Sequence, residues 1–194
     1  KAIIIARGGY GTVRIIDKID FSEFKKNPKW LIGYSDVTVL HSHIHTLGIQ
    51  SIHATMPINF LKNAEATQSL QHALFGKEIQ YTVTSSSMNR TGSAAGELVG
   101  GNLSLLYALQ GSDSDINTKD KILFIEDLDE YLYHIDRMMM ALKRGGKLSQ
   151  LAGLIVGGMS DMKDNTIPFG KTAEEIIYDA VKEYNYPVCF QFPA

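Results

Sequence analysis

A chain of 194 residues is long enough to bury a sizeable core, as one large domain or two small ones. Its 44% apolar and 21% charged content are those of an ordinary globular protein. A formal charge of −2 leaves no electrostatic footprint for nucleic acid, no apolar run approaches a membrane span, and the single cysteine, Cys189, excludes an internal disulfide framework and fits a reducing compartment.

Lys1 to Ala6 is too short for a signal peptide, and Ala2–Ala6 reads as a buried parallel strand. A chain that opens in mid-strand without an initiator Met is expected to be a piece of something longer. The loop Arg7-Gly8-Gly9-Tyr10-Gly11 follows, then a helical stretch over Val13–Ile19. Three uses of that loop compete: a phosphate cradle, an oxyanion donor, or a plain tight turn. The Gly-x-Gly-x-x-Gly spacing is absent and no Lys-Ser/Thr follows, which weakens the first. Asn27-Pro28 breaks the chain ahead of a strand at Trp30–Gly33. Past Ser35 a helix is expected over Val37–Leu47, ended by Gly48; its histidines, His41, His43 and His45, spread round the helix and do not form a metal site. Ser51–Ala54 reads as another strand, ended by Met56-Pro57.

Residues 61–92 read as a linker region: a polar helix over Leu61–Phe75, an alternating strand over Gln80–Thr84, and a polar loop. A second unit begins near Ser93 with the glycine cluster Gly96–Asn102 and an apolar helix, Leu103–Leu109. Lys121–Ile125 is a strong buried strand, with Glu126, Asp127, Asp129 and Glu130 expected at its tip, ahead of a helix over Tyr131–Arg144. Carboxylates placed there could serve simply as helix N-terminal acids. Gly153–Gly158 reads as a strand, Thr172–Tyr184 as an amphipathic helix, and Pro187–Ala194 as a further strand. The succession predicts an α/β chain: a parallel-sheet N-terminal domain over 1–60, truncated at its start, the 61–92 linker, and a mixed α/β C-terminal domain over 93–194.

The stretch Ile32-Gly33-Tyr34-Ser35-Asp36 carries the chemistry. A serine on a sharp strand-to-helix turn projects above the sheet edge, where a base and a substrate can reach it. The backbone N–H of Asp36, at the helix N-terminus, would face a developing oxyanion. Against this stands an ordinary N-cap, since position 37 is Val where the five-residue nucleophile pattern has a second Gly. A serine nucleophile needs a base held by a carboxylate. Of the six histidines, none sits in a glycine-flanked loop at a strand end; His53 comes closest.

Taken together, the stretches Ala6–Gly11, Asn27-Pro28-Lys29, Ile32–Thr38, His53–Pro57, Gly100–Leu103, Leu123–Asp127 with Glu130, and Ile135–Met138 resemble the LD-carboxypeptidases. These are serine peptidases that include muramoyltetrapeptide carboxypeptidases and microcin C self-immunity proteins. The resemblance covers most of the chain. It implies a Ser-His-Glu triad with Ser35 as nucleophile and Glu126 as the carboxylate, an oxyanion hole from the N–H groups of Gly9 and Asp36, and an active site between the two domains. It implies no metal and no cofactor. The implied reaction releases terminal D-alanine from murein tetrapeptide during cell-wall recycling in the cytoplasm, with a muropeptide as substrate and a homodimer as the assembly. The family's histidine lies in a Gly-His pair after a Pro-Ala strand end, which places it second beyond Ala194; the intact protein is expected to be active and these 194 residues alone inactive.

The immunity branch cleaves a peptidyl-nucleotide and stacks its base on a tryptophan of the C-terminal domain. The one tryptophan here, Trp30, lies before the serine turn, which favours murein. Arg137 could meet a substrate carboxylate or pair with Asp136 or Glu130. Two rivals remain from a different class: a protein whose glycine loops bind a nucleotide, and an inactive relative that binds muropeptides.

Overall fold

A computed structural model describes residues 1–193. It groups the chain into two units: the first from Lys1–Thr82 together with Leu109–Ile116, the second from Val83–Ala108 and the residues from Asn117 onward.

The first unit is a small parallel sheet with helices. Strand β1 (Ala2–Ile4) pairs with β2 (Trp30–Gly33), which pairs with β3 (Ile52–His53), all parallel. Parallel neighbours need a crossover, supplied here by the short helix α1 (Ser22–Lys26) and by α2 (Thr38–Thr46). Leu31, Val37, Ile44 and Met56 form the core, with Ile5, Phe21, Phe24 and Leu40 packed against it. Helix α3 (Ala64–Leu74) completes the unit; the Asn63 side chain caps it by accepting from the Ala66 N–H at 2.9 Å.

Three expectations are corrected in this half. β1 is parallel but, within these residues, not buried: it pairs on one side only, and Ile3 and Ile4 are 39% and 40% exposed. Val13–Ile19 is not one helix but two 3₁₀ turns, Thr12–Arg14 and Ile16–Lys18, broken at Ile15. Gln80–Thr84 forms no strand, because alternation alone supplies no neighbouring edge to pair with.

The second unit holds a four-stranded parallel sheet in the order β4 (Leu98–Asn102), β5 (Ile122–Leu128), β6 (Gly153–Ser160), β7 (Val188–Cys189). Of two isolated bridges among the described residues, Arg90–Val188 is antiparallel and Tyr131–Lys163 parallel. Helix α4 (Leu103–Ala108) follows β4 directly. Helix α5 (Leu132–Arg144) buries Ile135, Met138, Met139 and Leu142, and α6 (Ala173–Val181) buries Ala173, Ile176, Ile177, Ala180 and Val181. Both sets follow the i, i+3, i+4, i+7 spacing of one helix face, and the two helices pack on each other. A capping box, Thr172 with Glu175, starts α6.

Most of the glycine cluster is strand β4, and Gly100 within it is a packing requirement. A Cβ on Gly100 would lie 1.9 Å from the Phe124 carbonyl oxygen of β5. β5 is also longer than expected, so Glu126 and Asp127 lie within it, not beyond its tip. The pairing with β6 shifts register between Ile125 and Asp127, with Glu126 at the irregularity.

Candidate active site

Ser35 follows β2 in the left-handed region, at φ 61°, where a non-glycine residue carries strain. It opens a 3₁₀ turn, Ser35–Val37, that runs into α2. Gly33 makes the sharp exit possible: a Cβ there would lie 2.8 Å from Val37 Cγ2. The valine that breaks the five-residue pattern therefore fills the space that Gly33 leaves.

The Gly8-Gly9 loop passes beside this serine. A Cβ on Gly8 would stand 3.1 Å from Ser35 Oγ, and one on Gly9 would stand 3.4 Å from Asp36 Oδ2. Asp36 is buried, and its Oδ2 accepts from the Thr12 N–H at 3.1 Å and from the Thr12 hydroxyl at 2.6 Å. Gly8, Gly9, Ser35 and Asp36, drawn from two separate stretches of sequence, are thus brought together within the first unit.

Four of the six histidines have defined surroundings. His41 is buried on α2; its Nε2–H donates to the Gly33 carbonyl at 2.9 Å, which leaves Nδ1 to accept from the Ser51 hydroxyl at 2.8 Å. Burial holds its pKa below the usual histidine range. Burial, and then the neighbouring His41, push His53 down to about 3. His43 Nδ1 meets Ser114 Oγ at 2.9 Å, and His134 Nδ1 donates to Glu130 Oε2 at 2.7 Å. Among the described residues no histidine hydrogen-bonds the Ser35 hydroxyl. His41 instead supports the strand end from which the serine turn departs.

In the second unit Glu126 and Asp127 share one polar network with Asn102. Asp127 is buried, and its Oδ1 accepts from Asn102 Nδ2 and from the Leu128 N–H, each at 2.9 Å. Its Oδ2 accepts from the Ser104 N–H at 2.9 Å, at the start of α4. Asn102 Oδ1 in turn accepts from the Ser104 hydroxyl at 2.7 Å. Glu126 Oε1 is buried with no hydrogen-bond partner among the described residues. Burial, followed by the Asp127 charge and against a hydrogen bond from Asn102, pushes Glu126 up to about 7. A carboxylate with one sequestered, unsatisfied oxygen is suited to accept an imidazole N–H. Glu130 binds His134, and Arg137 lies over the Tyr133 ring at 5.3 Å.

Three features of these sites were not expected from the residues: the Asp36–Thr12 contact, the Asn102–Asp127–Ser104 network, and the engagement of His41. Asn102 had a local signal, an amide side chain between a glycine pair and an apolar helix, as at an N-cap. The Asp36–Thr12 contact joins residues 24 positions apart and has none, and His41 reaches Gly33 and Ser51, 8 and 10 positions away, with no repeating pattern to mark it. Among the described residues no helix is long and apolar enough to cross a membrane.

Comparison with known proteins places the chain in context. Residues 95–194 match a family model described as the LD-carboxypeptidase C-terminal domain, and residues 1–54 match its N-terminal domain. A Bacillus subtilis protein named "Probable murein peptide carboxypeptidase" is 44% identical over 167 residues, covering 80% of this chain and 51% of that protein. The murein tetrapeptide carboxypeptidase of Pseudomonas aeruginosa is 26% identical over 173 residues, covering 82% of this chain and 56% of the relative. The chain therefore spans about half the length of these relatives. Among solved structures, the muramoyltetrapeptide carboxypeptidase of Oxalobacter formigenes superimposes with a TM-score of 0.87 at 26% identity, over 100% of this chain and 67% of that one. The microcin C7 self immunity protein MccF, in complex with aspartyl sulfamoyl adenosine, shares the fold at a TM-score of 0.82 and 22% identity, over 98% of this chain and 67% of its own.

Proposed function

Since the chain belongs to the LD-carboxypeptidase family, we propose that the protein is a serine-type carboxypeptidase that releases terminal D-alanine from murein tetrapeptide in the cytoplasm, working as a homodimer. One observation carries the reading: Ser35 is held at φ 61° on the turn between β2 and α2, with the Gly8-Gly9 backbone beside its side chain.

In this mechanism Ser35 Oγ attacks the carbonyl of the L,D amide and a histidine accepts its proton. Glu126 fixes that histidine's tautomer and orientation through an N–H···O bond. The N–H groups of Gly9 and Asp36 hold the oxyanion of the tetrahedral intermediate. The histidine returns the proton to the leaving D-alanine amine, and water hydrolyses the acyl-enzyme by the same route. We take the base to be a histidine outside these residues, as the family resemblance implies: His41, His43 and His134 hydrogen-bond the partners described, and burial, with His41 beside it, pushes His53 down to about 3, which makes it a weak base. The 194-residue chain by itself is accordingly inactive.

The test is D-alanine release from a murein tetrapeptide by the full-length protein, with Ser35→Ala as control. Release that vanishes in the variant supports nucleophile and substrate class together. A folded protein that leaves the tetrapeptide intact but cleaves a peptidyl-nucleotide in a Ser35-dependent way would move the assignment to the immunity branch. One that cleaves neither would point to a binding role.

A further inference from the structure

We propose that the Asp36 side chain, acting through Thr12, is the latch that sets the Gly8-Gly9 backbone against Ser35, which makes Asp36 and Thr12 positioning residues for the oxyanion hole. This rests on the reading of Ser35 as nucleophile.

The loop in question, residues 7–11, contains three glycines and has little intrinsic preference for one shape. It is pinned at its two ends. Upstream, the Ala6 carbonyl accepts from the Ile58 N–H at 3.3 Å. Downstream, Thr12 gives both its N–H (3.1 Å) and its hydroxyl (2.6 Å) to a single oxygen, Asp36 Oδ2. Within the loop the hydrogen bonds are local: Arg7 Nε reaches the Gly8 carbonyl at 3.4 Å, and the Gly11 carbonyl accepts from the Arg14 N–H of the following 3₁₀ turn at 3.0 Å. On its downstream side the tie between this loop and the serine turn is therefore the Asp36 carboxylate, through Thr12.

The arrangement is costly for a purely structural bond. Asp36 is only 7% exposed, yet its second oxygen, Oδ1, is buried with no hydrogen-bond partner among the described residues. A buried carboxylate with an unsatisfied oxygen lowers stability, and an apolar contact of similar size would hold two segments together at less expense. What an apolar contact would not give is a directed, two-point attachment. The geometry has a further economy: Asp36 carries one oxyanion donor in its own main chain and fixes the other with its side chain. The spacing of the two donors is therefore set through one residue, the neighbour of the nucleophile.

The experiment uses the full-length protein and its Thr12→Val, Thr12→Ser and Asp36→Asn variants. It reads steady-state release of D-alanine from a murein tetrapeptide, thermal midpoint, and amide hydrogen exchange of the peptide spanning residues 7–11. The latch predicts that kcat falls about 10–100-fold in Thr12→Val and Asp36→Asn while KM stays within about twofold, because a small misplacement of a donor is felt only in the transition state. It also predicts faster exchange across the loop in both, and recovery of both readouts in Thr12→Ser, which restores the hydroxyl. An unchanged kcat, a change confined to KM, or a fall in kcat without faster loop exchange would each overturn it. If the unmodified protein releases no D-alanine, the proposed activity falls by itself. The latch is then decided by exchange alone: unchanged exchange in Thr12→Val overturns it, and faster exchange reversed in Thr12→Ser upholds it.

Discussion

Gly8 and Ser35 are so close that a single methyl group would separate them: a Cβ on Gly8 would stand 3.1 Å from Ser35 Oγ and 3.2 Å from Ser35 Cβ. Rotation about χ1 moves the serine hydroxyl but not its Cβ, so the glycine-rich loop must give by a few tenths of an ångström; the fold tolerates that shift, while the productive rotamer does not. Gly8→Ala is expected to keep its thermal midpoint within about 2 °C and to lose at least about tenfold in kcat. Parallel melting curves and D-alanine release check this.

Ser35 itself holds strain that a glycine would not. At φ 61° the Cβ costs roughly 1 kcal/mol, and Ser35→Gly should recover about that amount in urea denaturation while abolishing hydrolysis. A variant that is inactive and more stable than the parent is the signature of a strained nucleophile turn. One that is inactive and less stable would assign Ser35 to packing.

The Glu126 carboxyl predicts a pH dependence with a definite sign. Its pKa is raised from 4.5 to about 7, so the folded chain binds more protons than the unfolded one between those values. Its contribution to stability is fully present below about 4.5 and is lost as pH rises through 7, by about 3 kcal/mol at most. Asp127, also raised by burial, acts in the same direction. Glu126→Gln should flatten this part of the stability profile of the 194-residue chain, read from urea midpoints at pH 5 and 7.5. His41 and His53, both lowered, act oppositely: their contribution is present above 6.5 and lost as pH falls.

Two glycines separate a packing requirement from simple tolerance. Gly100 lies at φ +129° with a Cβ position 1.9 Å from the Phe124 carbonyl oxygen, while Gly11 has φ −100° and open space. Gly100→Ala should cost about 3 kcal/mol or more, or prevent folding, whereas Gly11→Ala should shift stability by less than about 1 kcal/mol. Circular dichroism melts of the two variants decide it.

How much of this was legible in the residues depends on the range of the force concerned. The spacing of Ile135, Met138, Met139 and Leu142 announces α5 because a helix face is a local property. The serine turn was readable for the same reason, since strand, glycine, serine and helix are consecutive. Gln80–Thr84 shows where local pattern stops: alternation requires a partner strand, and the sequence does not say whether one exists. Gly96–Asn102 shows the opposite failure. A strand that must lie against the Phe124 carbonyl has given up the side chain that would have marked it as a strand. The Asp36–Thr12 bond spans 24 positions with no periodicity to betray it.

The path of the chain has a consequence for how such a protein can be cut and recombined. Residues 109–116 fall within the stretch matched by the C-terminal family model, yet by their contacts they belong to the first unit, where Ser114 meets His43 and where Leu109 and Ile116 are buried. The backbone therefore passes from one unit to the other three times. A crossover placed between the two family segments, the obvious seam for exchanging halves between homologues, would import an octapeptide evolved against another protein's helix. Chimeras joined there inherit a mismatch at His43 that the domain boundary does not advertise, and the remedy is to carry 109–116 along with the N-terminal parent.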